Sequence, residues 1–201
     1  MIAIVDYGLG NPESVKNMLR KAGADALITA DHQQLSEAEK LILPGVGAFG
    51  KGMENLRNAQ LDSLIKARTA AGVKLLGICL GAQLLTEHSE ENNCAGLGLI
   101  SAETVKFTAL PAQLKVPHMG WNGIEVRQNH ALFKNTAVNQ RYYFVHSYFM
   151  RCKQPEDILC LAHHGNPFAA GIAKNNIAGV QFHPEKSHVF GLALMKNFID
   201  W

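Results

Sequence analysis

The feature that most restricts the fold is the run Leu75-Leu76-Gly77-Ile78-Cys79-Leu80-Gly81-Ala82-Gln83-Leu84-Leu85, where an apolar strand passes between two glycines straight into a helix. A strand with no polar face is buried on both sides, as in a parallel sheet covered by helices. The rest of the N-terminal half agrees. Ile2 to Val5 reads as a short buried strand, and Asn11-Pro12-Glu13 supplies an N-cap, a proline at the first helical position and an early acid. Val15, Met18, Leu19 and Ala22 then fall on one helical face, and Gly23 is placed to end the helix in the left-handed conformation. Strands are expected over residues 24–29, 41–43 and 73–78, with a helix from about Met53 to Ala70 ahead of the last. Alternation of this kind specifies an α/β fold.

The second half changes texture. Strand-like runs at 103–107, 124–126, 142–149, 158–162, 169–173 and 177–182 follow one another, with a hairpin signal at Lys174-Asn175-Asn176. A mixed or antiparallel extension of the sheet is expected there. The C-terminus returns to helical spacing, with Phe190, Ala193, Leu194, Asn197, Phe198 and Trp201 on one face that closes the sheet. With 201 residues and no repeat, low-complexity tract or Pro/Ser-rich linker, the chain is expected to form one domain spanning 1–201.

Charge and cysteine usage narrow the function classes. Nineteen Lys and Arg stand against 17 Asp and Glu, a balance of +2, so neither nucleic acid nor an anionic membrane is the expected partner. No stretch approaches the roughly 18 apolar residues of a membrane span. The opening Met1 to Val5 has no basic region before it, so no signal peptide is expected. Four cysteines, Cys79, Cys94, Cys152 and Cys160, form no C-x-x-C pair, which suits reduced thiols and a cytoplasmic setting.

Chemistry concentrates at three places. Glycines two residues to either side of Cys79 suit a sharp strand-to-helix turn that projects the thiol from the strand end, with a helix N-terminus behind it to favour the thiolate. A buried cysteine more often packs as a small hydrophobe, but the paired glycines favour a nucleophile. Val180-Gln181-Phe182-His183-Pro184-Glu185 offers a base after a strand and, two residues on, a carboxylate to orient it; a histidine taken alone is more often structural. Pro44-Gly45-Val46-Gly47-Ala48-Phe49-Gly50 follows the strand at 41–43 and suits an oxyanion hole or a flexible connector. It lacks the Lys-Ser/Thr of a P-loop and the spacing of a dinucleotide site. No metal cluster or cofactor is expected; His163-His164 has no third ligand at metal spacing, and Cys94, Cys152 and Cys160 read as packing residues.

Taken in chain order, P-G-V-G, G-I-C-L-G-A-Q and Q-F-H-P-E resemble the class I (triad) glutamine amidotransferases, which have a flavodoxin-like, largely parallel sheet flanked by helices. The resemblance implies a Cys79, His183, Glu185 triad that hydrolyses glutamine through a thioester. It also implies oxyanion N–H groups at Gly47 and Leu80, and glutamine contacts at Gly45 and Gln83. Asp6-Tyr7-Gly8-Leu9-Gly10-Asn11, Lys115-Val116-Pro117-His118-Met119-Gly120-Trp121-Asn122, Tyr143-Phe144-Val145-His146-Ser147-Tyr148 and Lys186 look more narrowly like the glutaminase subunits of imidazole glycerol phosphate synthases. In that family Ser147 and Tyr148 would sit at the glutamine, while Asn11, Trp121, Asn122, Tyr143 and Lys186 would face a cyclase subunit in a heterodimer. Pro12 stands where the family usually has an aliphatic residue, a change that bears on docking and not on hydrolysis. The alternatives are a glutaminase serving another synthase, such as one aminating a surface sugar, a free-standing hydrolase of γ-glutamyl compounds, and a non-catalytic binding subunit.

Overall fold

The computed structural model describes residues 1–108, 110–134 and 139–201. Its first half runs β1 (Ile2–Val5), α1 (Pro12–Ala22), β2 (Ala26–Thr29), α2 (His32–Glu37), β3 (Lys40–Leu43), α3 (Phe49–Asn58), α4 (Leu61–Ala70), β4 (Lys74–Ile78) and the single turn α5 (Leu80–Gln83). The second half runs β5 (His88–Ser89), β6 (Cys94–Ala95), β7 (Ala102–Lys106), β8 (His118–Gly123), β9 (Glu125–Val126), β10 (Arg141–His146), β11 (Tyr148–Cys152), β12 (Ile158–His164), β13 (Asn166–Lys174), β14 (Ile177–Val180) and α6 (His188–Asp200). The main sheet has the order β2-β1-β3-β4-β14-β13-β11-β7-β5-β6, parallel from β2 to β14 and antiparallel where β13 pairs with β14 and β11. β8 and β10 form a separate antiparallel ribbon.

Alternation along the central strands divides the core between the two sheet faces. Ile2 and Ile4 of β1, Ile42 of β3, Leu76 of β4 and Val180 of β14 pack with Val15 and Leu19 of α1 and with Leu194 and Phe198 of α6. Ala3, Val5, Leu41, Leu43 and Leu75 pack on the other side with Phe49, Met53, Leu56, Leu61 and Ile65 of α3 and α4. The ends of α1 follow from its sequence. The Asn11 side chain accepts from Ser14 N–H at 3.1 Å, Pro12 opens the helix, and Gly23 ends it at φ +102°.

Four expectations need correction. The helix expected from Met53 to Ala70 is two helices, broken at Ala59-Gln60, where Gln60 takes φ +56°. The core positions carry the reason: Leu56 to Leu61 is a five-residue step, out of phase with a 3.6-residue turn. The strand expected over 142–149 is also two, with β10 paired to β8 and β11 paired to β7 across a break at Ser147. Buried Tyr142, Phe144, His146 and Met150 all keep even parity, so the pattern of alternation hides the break. The strand expected over 177–182 ends at Val180. Finally α2, capped by the Asp31 side chain on Gln34 N–H at 2.9 Å, and β8 add elements that weak periodicity concealed.

Phe198 is fully buried between α6 and the sheet, so Phe198→Ala is expected to cost about 3–5 kcal/mol in urea unfolding. Val189, 69% exposed on the same helix, changed to Ala is expected to stay within about 0.5 kcal/mol.

Candidate active site

Three neighbouring parallel strands end at one edge: β3 leads into the loop Pro44 to Gly50, β4 into Cys79, and β14 within three residues into His183. Carboxyl ends of strands are where open α/β sheets hold ligands. Cys79 sits at φ +53°, ψ −111°, a conformation that side-chain-bearing residues avoid and that costs about 1–3 kcal/mol. Its surroundings hold it there. A Cβ at Gly81 would come within 1.8 Å of the Leu43 carbonyl oxygen, and one at Gly77 within 2.7 Å of Ala82 Cα, so the turn closes only with glycine at both positions. Cys79 N–H donates to Val180 O at 2.8 Å, which ties the turn to β14.

His183 and Glu185 meet across the short turn at Pro184, with Nδ1 2.7 Å from Glu185 Oε1. The ring is 1% exposed, and its Nε2 is buried with no nitrogen or oxygen partner among the described residues. Burial alone would lower this imidazole, but the adjoining Cys79 sulfur and the Glu185 carboxylate outweigh it and push the pKa up to about 9. The backbone is fixed as well. His183 N–H donates to Tyr143 O at 2.9 Å, and Ser187 Oγ donates to His183 O at 2.6 Å.

The glycine loop is pinned at three points. Tyr7 Oη donates to Pro44 O at 2.7 Å, Leu80 N–H donates to Gly45 O at 3.3 Å, and Phe49 N–H donates to Glu91 Oε2 at 2.8 Å. Between these pins lie Val46, 42% exposed, and Gly47 at φ +117°. The Leu80 N–H, expected to be an oxyanion donor, therefore faces the Gly45 carbonyl in this state.

A cavity of about 380 Å³ joins these parts, and Gly47, Cys79, Leu80, Gln83, Ser147, Tyr148 and His183 all line it. Gln83 commits both amide hydrogens to the wall, to Tyr148 O at 3.0 Å and Gln181 Oε1 at 3.1 Å, so only its oxygen is left for a ligand. Glu91, Pro117 and His146 also line the cavity and were not anticipated. Glu91 lies in an ordinary-looking polar stretch, Glu90-Glu91-Asn92-Asn93, with no motif to mark it. Gln181, whose Nε2 lies 3.8 Å from Cys79 Sγ, was signalled only by its place two residues before His183.

Of the residues expected to face a partner, Trp121 is 40% exposed beside Met119 at 62%, stacks on His188 at 5.5 Å, and meets Tyr143 edge-on at 6.3 Å. Lys186 reaches over the Tyr143 ring at 5.9 Å. Asn11 is exposed but lends its side-chain oxygen to the α1 cap. Asn122 lies opposite to Trp121 across the pleat of β8, and its amide bonds to His118 and His163 O. Cys160 is fully buried and Cys152 partly so, and burial raises both thiols, that of Cys152 to about 12. His164 bonds Lys115 O at 2.9 Å, and no group of three or more potential metal ligands occurs among the described residues. No helix among them is long and apolar enough to cross a membrane.

Comparison with known proteins agrees with this architecture. The family model for class-I glutamine amidotransferases matches residues 3–201. A relative from Methanococcus maripaludis, imidazole glycerol phosphate synthase subunit HisH 2, is 52% identical over 99% of this chain and 98% of its own. The subunit HisH 2 of Pseudomonas aeruginosa is 45% identical over 100% and 99%. A solved glutamine amidotransferase superposes with a TM-score of 0.77 at 19% identity, covering 100% of this chain and 98% of that one, which bears on the fold alone. The chain belongs to the class-I glutamine amidotransferase family, in its branch of imidazole glycerol phosphate synthase HisH subunits.

Proposed function

We propose that the chain is the glutaminase subunit of an imidazole glycerol phosphate synthase, hydrolysing glutamine to glutamate and ammonia and passing the ammonia to a cyclase subunit in histidine biosynthesis. The observation that carries this reading is one cavity lined by Cys79 on its strained turn and by His183, whose ring is held by Glu185. Relatives at 41–52% identity named as HisH subunits support this over service to another synthase.

Chemically, Cys79 Sγ attacks the side-chain carboxamide carbon of glutamine. The resulting oxyanion needs N–H donors, and those of Leu80 and Gly47, two residues that line the cavity, are the candidates. His183, protonated at neutral pH, gives its proton to the departing ammonia, and its neutral ring then takes a proton from the water that cleaves the thioester. Glu185 keeps Nδ1 as the donor toward itself, which leaves Nε2 to serve the reacting atoms. Ser147 and Tyr148 form the wall for the amino-acid end of glutamine, and the Glu91 carboxylate suits its α-ammonium group.

The Gly45 carbonyl on Leu80 N–H makes the present arrangement a resting one. Losing one such donor typically costs about 3–4 kcal/mol of barrier, so hydrolysis waits for the Gly45 peptide to release Leu80. A cyclase seated on Met119, Trp121, Tyr143 and Lys186 is the event that would move it. Such gating prevents ammonia from being made where nothing consumes it.

Glutamate release by the purified chain is expected to be slow alone and to rise by about a hundredfold or more with the cyclase subunit and its ribonucleotide substrate, the scale of one oxyanion donor. Cys79→Ala should abolish it in both settings. Full turnover by the free chain would argue for an independent hydrolase, and no response to that cyclase for a different synthase.

The His183 C2–H resonance is expected to titrate near pH 9 in the free protein, against the ordinary 6.5. Glu185→Gln should bring the midpoint down. Because the folded-state value is raised, the stability this proton lends is complete below 6.5 and fades as pH climbs toward 9. A midpoint unmoved by the substitution would remove Glu185 from its orienting role.

A further inference from the structure

From the cavity wall at His146 back to β8 runs a line of polar groups for which the reaction above has no use. His118 and His146 are directly opposed on β8 and β10, each 6% exposed, with His118 Nδ1 2.9 Å from His146 Nε2. At one end, Asn122 Nδ2 lies 3.1 Å from His118 Nε2 and 2.7 Å from His163 O. At the other, His146 Nδ1 lies 2.8 Å from Tyr148 O, a carbonyl that also accepts from Gln83.

Both ends are fixed in direction. His163 O only accepts, so the Asn122 group facing it is the NH2, whose second hydrogen points at His118 Nε2. Tyr148 O only accepts, so His146 carries its hydrogen on Nδ1 and accepts at Nε2. His118 must then donate from Nδ1. Every nitrogen has one assignment, and both rings take the Nδ1–H tautomer, the less populated form of free neutral histidine. A further proton on either ring would leave two donors face to face. Burial keeps the rings neutral, with His118 held down to about 4 and His146 to about 3.

We propose that Asn122, His118 and His146 are positioning residues, a neutral hydrogen-bond chain of one direction that sets the Tyr148 carbonyl and, through Gln83 and Gln181, the seating of glutamine against Cys79. This rests on the glutaminase reading. The chain begins on the strand that carries exposed Met119 and Trp121 on its outer face and ends at the cavity wall, so it joins the docking ribbon to the nucleophile by continuous contact.

The test uses the full chain, with the cyclase subunit present for kinetics. Long-range 1H–15N spectra of the wild type are expected to show Nδ1–H tautomers at both His118 and His146. Asn122→Asp replaces the donor with a group that only accepts. If the new carboxylate holds His118 as the imidazolium, Nδ1–H still donates to His146 and KM stays at the wild-type value; if the ring stays neutral it donates from Nε2 alone, His146 must carry its hydrogen on Nε2, and its bond to Tyr148 O is lost. With that bond lost, the KM for glutamine should rise about tenfold with a smaller change in kcat, the scale of one buried hydrogen bond. Asn122→Leu, which removes the donor without reversing the order, should leave both tautomers as in the wild type. An Nε2–H tautomer at either histidine in the wild type would overturn the proposal, as would a reversed chain with unchanged KM. Absence of glutamate release from the wild type would overturn the glutaminase reading, and with it the positioning role, whatever the tautomers show.

Discussion

The structure depends on how closely the turn at Cys79 approaches its neighbours. Gly81 lies so near the Leu43 carbonyl that no side chain fits between them, and Cys79 N–H reaches across to Val180 O. These contacts bind the ends of β3, β4 and β14 together. From that junction everything else takes its place: the glycine loop leaves β3, the thiol leaves β4, and the imidazole arrives three residues beyond β14. The strain at Cys79 is held by hydrogen bonding and packing on both sides, so the thiol points into the cavity without help from a ligand.

Much of this was legible in the residues. The glycines around Cys79 had to mean a close turn, because nothing else explains two absent side chains at a strand-to-helix junction. Asn11, Pro12 and Gly23 marked the ends of α1 through capping chemistry that is local to the chain. Cys79 was visible because it directly follows an apolar strand, His183 because it comes three residues after another, and Glu185 because it stands two residues beyond His183.

Long-range geometry was what the residues could not give. The break between β10 and β11 leaves the parity of buried positions intact, so only the pairing partners reveal it. Asn122 shares a motif with Trp121, yet adjacent residues on a strand face opposite ways, and which face is inward depends on where β8 is laid. Glu91 holds the N-terminus of α3 from a segment 42 residues downstream, a relation with no sequence signature.

The position of β14 bears on when the site comes into being. It is among the last strands to be synthesised, yet it lies in the middle of the sheet, between β4 and β13. Until it is inserted, those two strands have exposed edges, and pairing residues about a hundred positions apart makes this closure a slow, non-local step. Cys79 leaves the ribosome long before His183. A nascent or truncated chain therefore carries the thiol without the imidazole, and completion of the sheet and completion of the proposed catalytic constellation are one event.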